Sequence, residues 1–261
     1  MNMTRAWKNL LREVLQDGRE VSPRGRLTKE LPQRTTVVDM RQPVLISEAR
    51  GLSYKFMAAE AFWILSGDDR VDGIAPFNKN IAAFSDDGER FFGAYGPKIV
   101  GQLDYVVQKL VEDTDSRQAG LTIWRENPPT SKDIPCTVAI FFSIRSQRLN
   151  CYTFMRSSDC WLGVPYDVFN FSMVSHLVCA RLWGRGKRIT PGKLYLTAAN
   201  AHLYEENFDG ARACIAEPST EKQVLLTPGL LHTDEHELMA WLEQLRYVGP
   251  GHDLRWWEED L

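Results

Sequence analysis

The stretch SSDCWLGVPYDVFNF, residues 157–171, poses the sharpest chemical question in this chain. Asp167 follows Pro165 and Tyr166 in a run that is otherwise apolar and suited to burial. A buried carboxylate is expensive unless something bonds it, so Asp167 asks for a partner. Cys136 sits in DIPCTVAIFF, between a proline and a predicted strand. A thiol there serves either as a nucleophile or as a small buried apolar side chain, and free cysteines are more often the second. Glu60 lies in an apolar helical run, flanked by Ala58, Ala59, Ala61, Phe62 and Trp63. It either faces solvent or lines a cavity; in a cavity its pKa should rise, making it a candidate proton shuttle. Arg24, Arg26, Arg117 and Arg156 are spread across three loops. Brought together they would grip a phosphate; left apart they are solvated charges. His202 and Tyr204 in NAHLY, taken as a lone pair, read as hydrogen-bonded core. His232 and His236 have the spacing of a helical metal pair, but HTDEH lacks a third ligand and is not HExxH, so no metal site is expected.

These residues need elements to position them. Residues 1–20 read as an amphipathic helix with Trp7, Leu10, Leu11, Val14 and Leu15 on one stripe. Residues 21–35 read as a basic loop with two prolines. Residues 54–66 have a strong helical pattern, stopped by Gly67 at the C-cap position. Residues 69–98 are turn-rich, and 99–113 have helical period. The segments 120–126 and 137–157 are rich in β-branched and aromatic residues; the second breaks at Ser146, Gln147 and Arg148, which predicts a hairpin. Residues 165–183 predict a long, largely buried helix with Pro165 near its start. Residues 193–204 read as a strand running into a helix, and a last helix is expected over about 234–246. Strands and helices mix without regular alternation, which argues for an α+β fold rather than a doubly wound one.

The 261 residues fit one large domain or two small ones, and a single domain over 1–261 is expected. The net charge is -3 and charged residues, 25% of the chain, are interspersed. No basic nucleic-acid footprint is present, so no direct nucleic-acid binding is expected. No apolar run approaches the ~20 residues of a membrane span, and residues 1–20 have no signal-like apolar core. The five cysteines are odd in number and lack CxxC spacing, so a disulfide framework or a zinc site is not expected and a reducing cytosol is.

In order, EAFWILSGD (60–68), GAYG (93–96), DSRQ (115–118), PC (135–136), RSSDCWLGVPYD (156–167) and HLY (202–204) resemble the motifs of the thymidylate synthase family. The resemblance covers about residues 20–210. It implies a three-layer α+β fold with a mixed or antiparallel sheet at a dimer interface. It also implies a homodimer that takes a pyrimidine nucleoside monophosphate and 5,10-methylenetetrahydrofolate. By resemblance Cys136 is the thiolate that adds to carbon 6 of the pyrimidine, making carbon 5 nucleophilic. Nearby arginines, notably Arg156, are expected to lower its pKa. Glu60 and Tyr95 would organise waters and protons at the polar edge of the ring. Arg24, Arg156 and Ser157 would hold the phosphate, with Arg117 reaching in from the other subunit. His202 and Tyr204 would bond the sugar 3′-hydroxyl, and Asp159 and Gly163 would bind the folate.

Several departures from the family pattern sharpen this expectation. Thymidylate synthases have asparagine at the position of Asp167. An amide pairs with uracil, whereas a carboxyl group accepts from the cytosine amino group and shares a proton with N3, so Asp167 points to a cytosine nucleotide. The same change marks the deoxycytidylate hydroxymethylases, which Thr137 and Met155 also resemble. Residues 80–92 lack the tryptophans that shield the one-carbon intermediate, which favours trapping by water over reduction; Phe84, Phe91, Phe92, Trp256 and Trp257 are the candidate substitutes. Gln118 replaces a second loop arginine, and Arg26 competes with Arg24 for the phosphate. Ser157 favours dCMP over CMP. The expected activity is therefore 5-hydroxymethylation of dCMP, in the cytoplasm of a bacterium or a phage-infected host. The alternatives are dCMP methylation with folate as reductant, CMP hydroxymethylation, and thymidylate synthesis from dUMP.

Overall fold

A computed structural model describes residues 1–218 and 234–248. Helix α1 (Met3–Asp17) starts at Asn2, whose side chain accepts from the Arg5 amide at 2.9 Å, and buries Met3, Trp7, Leu10, Leu11 and Val14. Strands β1 (Arg19–Val21) and β2 (Thr28–Asp39) follow. Helix α2 (Tyr54–Leu65) is capped by Ser53, which accepts from the Phe56 amide at 3.2 Å. A short α3 (Val71–Ile74) leads to α4 (Gly96–Glu112), with Pro97 in its first turn where no amide is needed. Strands β3 (Gly120–Thr122), β4 (Thr137–Arg145), β5 (Arg148–Met155) and β6 (Ser158–Asp159) precede the long helix α5 (Val164–Gly184). Strand β7 (Thr190–Tyr204) and helices α6 (Phe208–Ala216) and α7 (Glu235–Val248) complete the described chain.

All seven strands join one mixed sheet in the order β1-β2-β7-β5-β4-β3, with β6 beside β7. β5 and β6 run parallel to β7; the other pairs are antiparallel. The β4–β5 turn uses Ser146 and Gln147 at φ 51° and 59°, the left-handed pair that a two-residue hairpin turn requires. Alternate residues of β4, β5 and β7 point inward to one continuous core running from Met3 to Leu245. α5 is buried along nearly its whole length in that core, against α2, α4 and the sheet. The other face of the sheet carries Phe141 and Phe154, 41% and 45% exposed, and a stacked pair, Tyr152 and Tyr195, with ring centres 5.0 Å apart.

Four expectations need correction. Residues 28–35 are strand, not loop: β2 pairs with β7 through Pro32, opposite Asn200, and Gln33 takes φ 52° beside it. The strand after Ala119 ends at Thr122 instead of reaching 126. Residues 193–204 are strand throughout, because β2 on one side and β5 and β6 on the other supply hydrogen bonds along their length. The cap of α2 is Ser66, and Gly67 follows it at φ 74°.

Candidate functional site

Cys136 stands one residue before β4, half-buried, on a loop fixed from two sides. On one side is Arg156, at the end of β5. Its Nε donates to the Pro135 carbonyl at 3.0 Å, its Nη2 to the Ile134 carbonyl at 2.8 Å, and its backbone amide to the Cys136 carbonyl at 2.8 Å. On the other side is the segment leading into α4. The Gly93 amide donates to Asp133 Oδ2 at 2.7 Å, and Tyr95 Oη accepts from the Thr137 amide at 3.3 Å. A Cβ on Gly93 would lie 2.5 Å from the Asp133 carbonyl oxygen, so only glycine permits this approach. α2 then presents Glu60 and Trp63, and α5 presents Asp167 and Asn170, around a cavity of about 200 Å3 that Cys136 and Tyr95 also line. Asp167 and Asn170 share a helix face through their i,i+3 spacing.

Burial dominates the electrostatics of this cavity. It pushes the Glu60 carboxyl up to about 7, against the opposing effect of Asn170, whose Nδ2 donates to Glu60 Oε2 at 2.7 Å. Asp167 is held well above the usual carboxylate range by burial, then by the charges of Glu60 and Asp159. Burial also raises Asp133 and the Tyr95 phenol. The Cys136 thiol is raised as well, which corrects the expected lowering: Arg156 does favour the thiolate, but burial outweighs it and Asp167, Asp133 and Asp159 add to the rise. A Cβ on Gly163, just before α5, would sit 3.2 Å from Asp167 Oδ2 and 3.1 Å from the Asp159 carbonyl. Asp159 Oδ1 accepts from the amides of Trp161 and Leu162 at 2.8 and 3.0 Å.

A second group lies along the end of β7. Ser157 Oγ and His202 Nδ1 are 3.2 Å apart, and the His202 ring meets Tyr204 edge-on at 5.2 Å. Arg26 lies over the Tyr204 ring at 3.8 Å and pairs with Glu206 at 2.5 Å. Arg24 is exposed with φ 54°.

The family model for thymidylate synthase matches residues 5–230. The chain belongs to the thymidylate synthase family. It is therefore a folate-dependent one-carbon transferase. It is also similar to a protein of Bacillus phage SP01 named "Deoxyuridylate hydroxymethyltransferase", with 26% identity over 272 residues, 95% of this chain and 67% of that protein.

Against this thymidylate synthase frame, the structure brings Cys136, Glu60, Tyr95 and Asp167 to one cavity, with Gly163 beside Asp167. Ser157, His202 and Tyr204 form the neighbouring group, joined by Arg26. Arg117 lines a different hollow, with Lys109, Asp113 and Gln118, and does not join either group within this chain. Ile81, Phe84 and Phe91 line the cavity where shielding tryptophans were missed, while Phe92 lies under Arg125 at 4.3 Å. Trp256, Trp257 and His232 lie outside the described residues. All five cysteines are free, and among the described residues no group of three His, Cys, Asp or Glu is arranged to hold a metal. Asn170, Asp133 and Trp63 were not anticipated. Asn170 falls three residues after Asp167 and Asp133 three before Cys136, and those spacings were the available signal.

Proposed function

We propose that this enzyme adds a hydroxymethyl group to carbon 5 of dCMP, with 5,10-methylenetetrahydrofolate as co-substrate. The observation that carries the reading is the polar edge of the cavity: Glu60, Asp167 and Asn170 line it together with Cys136. That edge suits the amino group of cytosine. The Cys136 sulfur adds to carbon 6 and the electron pair moves to carbon 5, which is then alkylated. The folate supplies a one-carbon unit at the oxidation level of formaldehyde, and its carbon–nitrogen bond to that unit breaks as the carbon 5 proton is lost, releasing tetrahydrofolate before water adds. Asp167 holds the N3–N4 edge. Glu60, titrating near neutrality, takes the carbon 5 proton through water and positions the water that adds to the exocyclic carbon. Elimination of the Cys136 sulfur restores the ring. The sum is redox-neutral: dCMP, the methylene folate and water give hydroxymethyl-dCMP and tetrahydrofolate.

Three further observations support it. Residues 80–92 place Ile81, Phe84 and Phe91 in the wall and no tryptophan, and the indole that does line the cavity is Trp63 of α2. The phage relative is named as a hydroxymethyltransferase. Asp159 keeps its second carboxylate oxygen for the pterin, beside a backbone cradle that a Cβ on Gly163 would fill. For the phosphate, Arg156 and Ser157 act with Arg26 or Arg24, while His202 and Tyr204 take the 3′-hydroxyl. Arg117 lies away from the cavity and the exposed sheet face carries Phe141 and Phe154; both fit a homodimer that lends Arg117 to its partner's site. The proposed setting is a reducing cytoplasm.

One second reading has specific support. The phage relative is named for deoxyuridylate, and a protonated Asp167 offers one donor and one acceptor, as an amide does. Purified protein given the methylene folate with dCMP, dUMP or CMP in separate reactions decides between them by mass spectrometry. Hydroxymethyl-dCMP without dihydrofolate is expected. Methyl-dCMP with dihydrofolate would replace hydroxymethylation by methylation, and product from dUMP alone would overturn the base assignment.

A further inference from the structure

We infer that Asn170 is a second base-specificity residue, whose side-chain carbonyl accepts from the exocyclic amino group of the cytosine on the side facing carbon 5. The inference rests on the dCMP reading and deepens it. Asn170 is 3% exposed, lines the cavity one turn beyond Asp167, and its Oδ1 has no hydrogen-bond partner among the described residues. Its other amide atom is committed, because Nδ2 donates to Glu60 Oε2 at 2.7 Å. The amide orientation follows from that bond: an ionised Glu60 accepts only a donor, so the nitrogen turns to Glu60 and the oxygen turns away from it.

A buried carbonyl oxygen left without a donor is costly, so a ligand that supplies one is favoured. The 4-amino group carries two hydrogens. Asp167, acting on the N3 side, accepts one; the other points toward carbon 5. Asn170 Oδ1, buried and unpartnered in the cavity wall, is the acceptor assigned to it. A 4-oxo pyrimidine presents lone pairs instead and meets the Asn170 oxygen as like against like. Discrimination between the two bases is thus divided between two residues of one helix, and Glu60 acts on it by holding the amide.

The test compares the full-length wild type with Asn170→Ala, each given the methylene folate and either dCMP or dUMP. The variant is expected to lower the ratio of kcat/KM for dCMP over dUMP by about tenfold, beyond any loss common to both substrates from releasing Glu60. A purely structural role would lower both substrates alike; a ratio within about twofold of wild type overturns the inference. A wild type that prefers dUMP overturns the dCMP reading, and this inference with it. A wild type that prefers dCMP while the variant keeps its ratio overturns the inference alone. A second measurement needs no variant: NMR of amino-15N-labelled dCMP bound to the wild type. Two separate amino protons, both shifted downfield, are expected; only one shifted proton overturns the assignment.

Discussion

Asp167 and Glu60 sit on neighbouring helices and face one cavity, where the Glu60 charge makes Asp167 harder to ionise. Asp167→Asn restores the family's usual amide at this position. It is expected to move preference from dCMP to dUMP by about a hundredfold or more, measured as the ratio of kcat/KM values, because a site built on hydrogen bonds rejects the mismatched edge strongly. Glu60 makes a different prediction. Its carboxyl is raised from 4.5 to about 7. The folded state therefore holds a proton that the unfolded state releases, and stability falls as pH rises between those values. Above about 7 the cost is complete, of order 3 kcal/mol at most. Glu60→Gln should thus raise the melting temperature at pH 8, give little change near pH 4.5, and remove any inflection near 7 from the pH profile of kcat/KM. A variant less stable than wild type at pH 8 would contradict this. Stability given up for a working carboxylate is the usual bargain at such sites.

The elements matter here as supports for short loops. The Cys136 loop lies between the Arg156 side chain and the Gly93 turn, and the closest approach is at Gly93. Gly93→Ala would drive a methyl group against the Asp133 carbonyl. It is expected to destabilise by about 1–3 kcal/mol in urea titration and to lower kcat/KM for dCMP, since the displaced loop carries Cys136. Full stability in this variant would mean that the turn yields more easily than its geometry implies. Sequence made the helices and the β4–β5 hairpin legible, because α1, α2 and α4 carry apolar period and the turn residues announce themselves. It made β7 only half legible: KLYLTAANAHLY contains the helix-favouring run Ala198-Ala199-Asn200-Ala201, and only the neighbouring strands decide that the run is extended. Pro32 hid the start of β2 for a similar reason, since a proline inside a strand normally argues against one. Of the cavity, the family-like motifs gave Cys136, Glu60, Tyr95 and Asp167. Asn170 and Asp133 stayed hidden because neither residue type is telling alone, and the rise in the Cys136 thiol depended on burial that sequence does not display.

At the scale of the molecule, the proposed homodimer predicts complementation. Cys136→Ser and Arg117→Ala chains should each be nearly inactive alone. Refolded together in equal amounts they should recover about a quarter of wild-type activity, because half the dimers are mixed and each mixed dimer has one intact site. No recovery, with dimers present by light scattering, would mean that Arg117 serves its own chain. The described sheet also limits how such chains can meet. Its outermost strands, β1 and β3, are three residues each and cover three residues of β2 and of β4, while β7 and β5 lie inside the sheet. Exposed strand edges are the templates on which chains stack without end. Here the sticky surface is instead the broad face with Phe141 and Phe154, which offers contact in one direction only. In the proposed homodimer, two copies closing over that face would bury the patch in both at once, so the aromatic surface that favours pairing would also be used up by it.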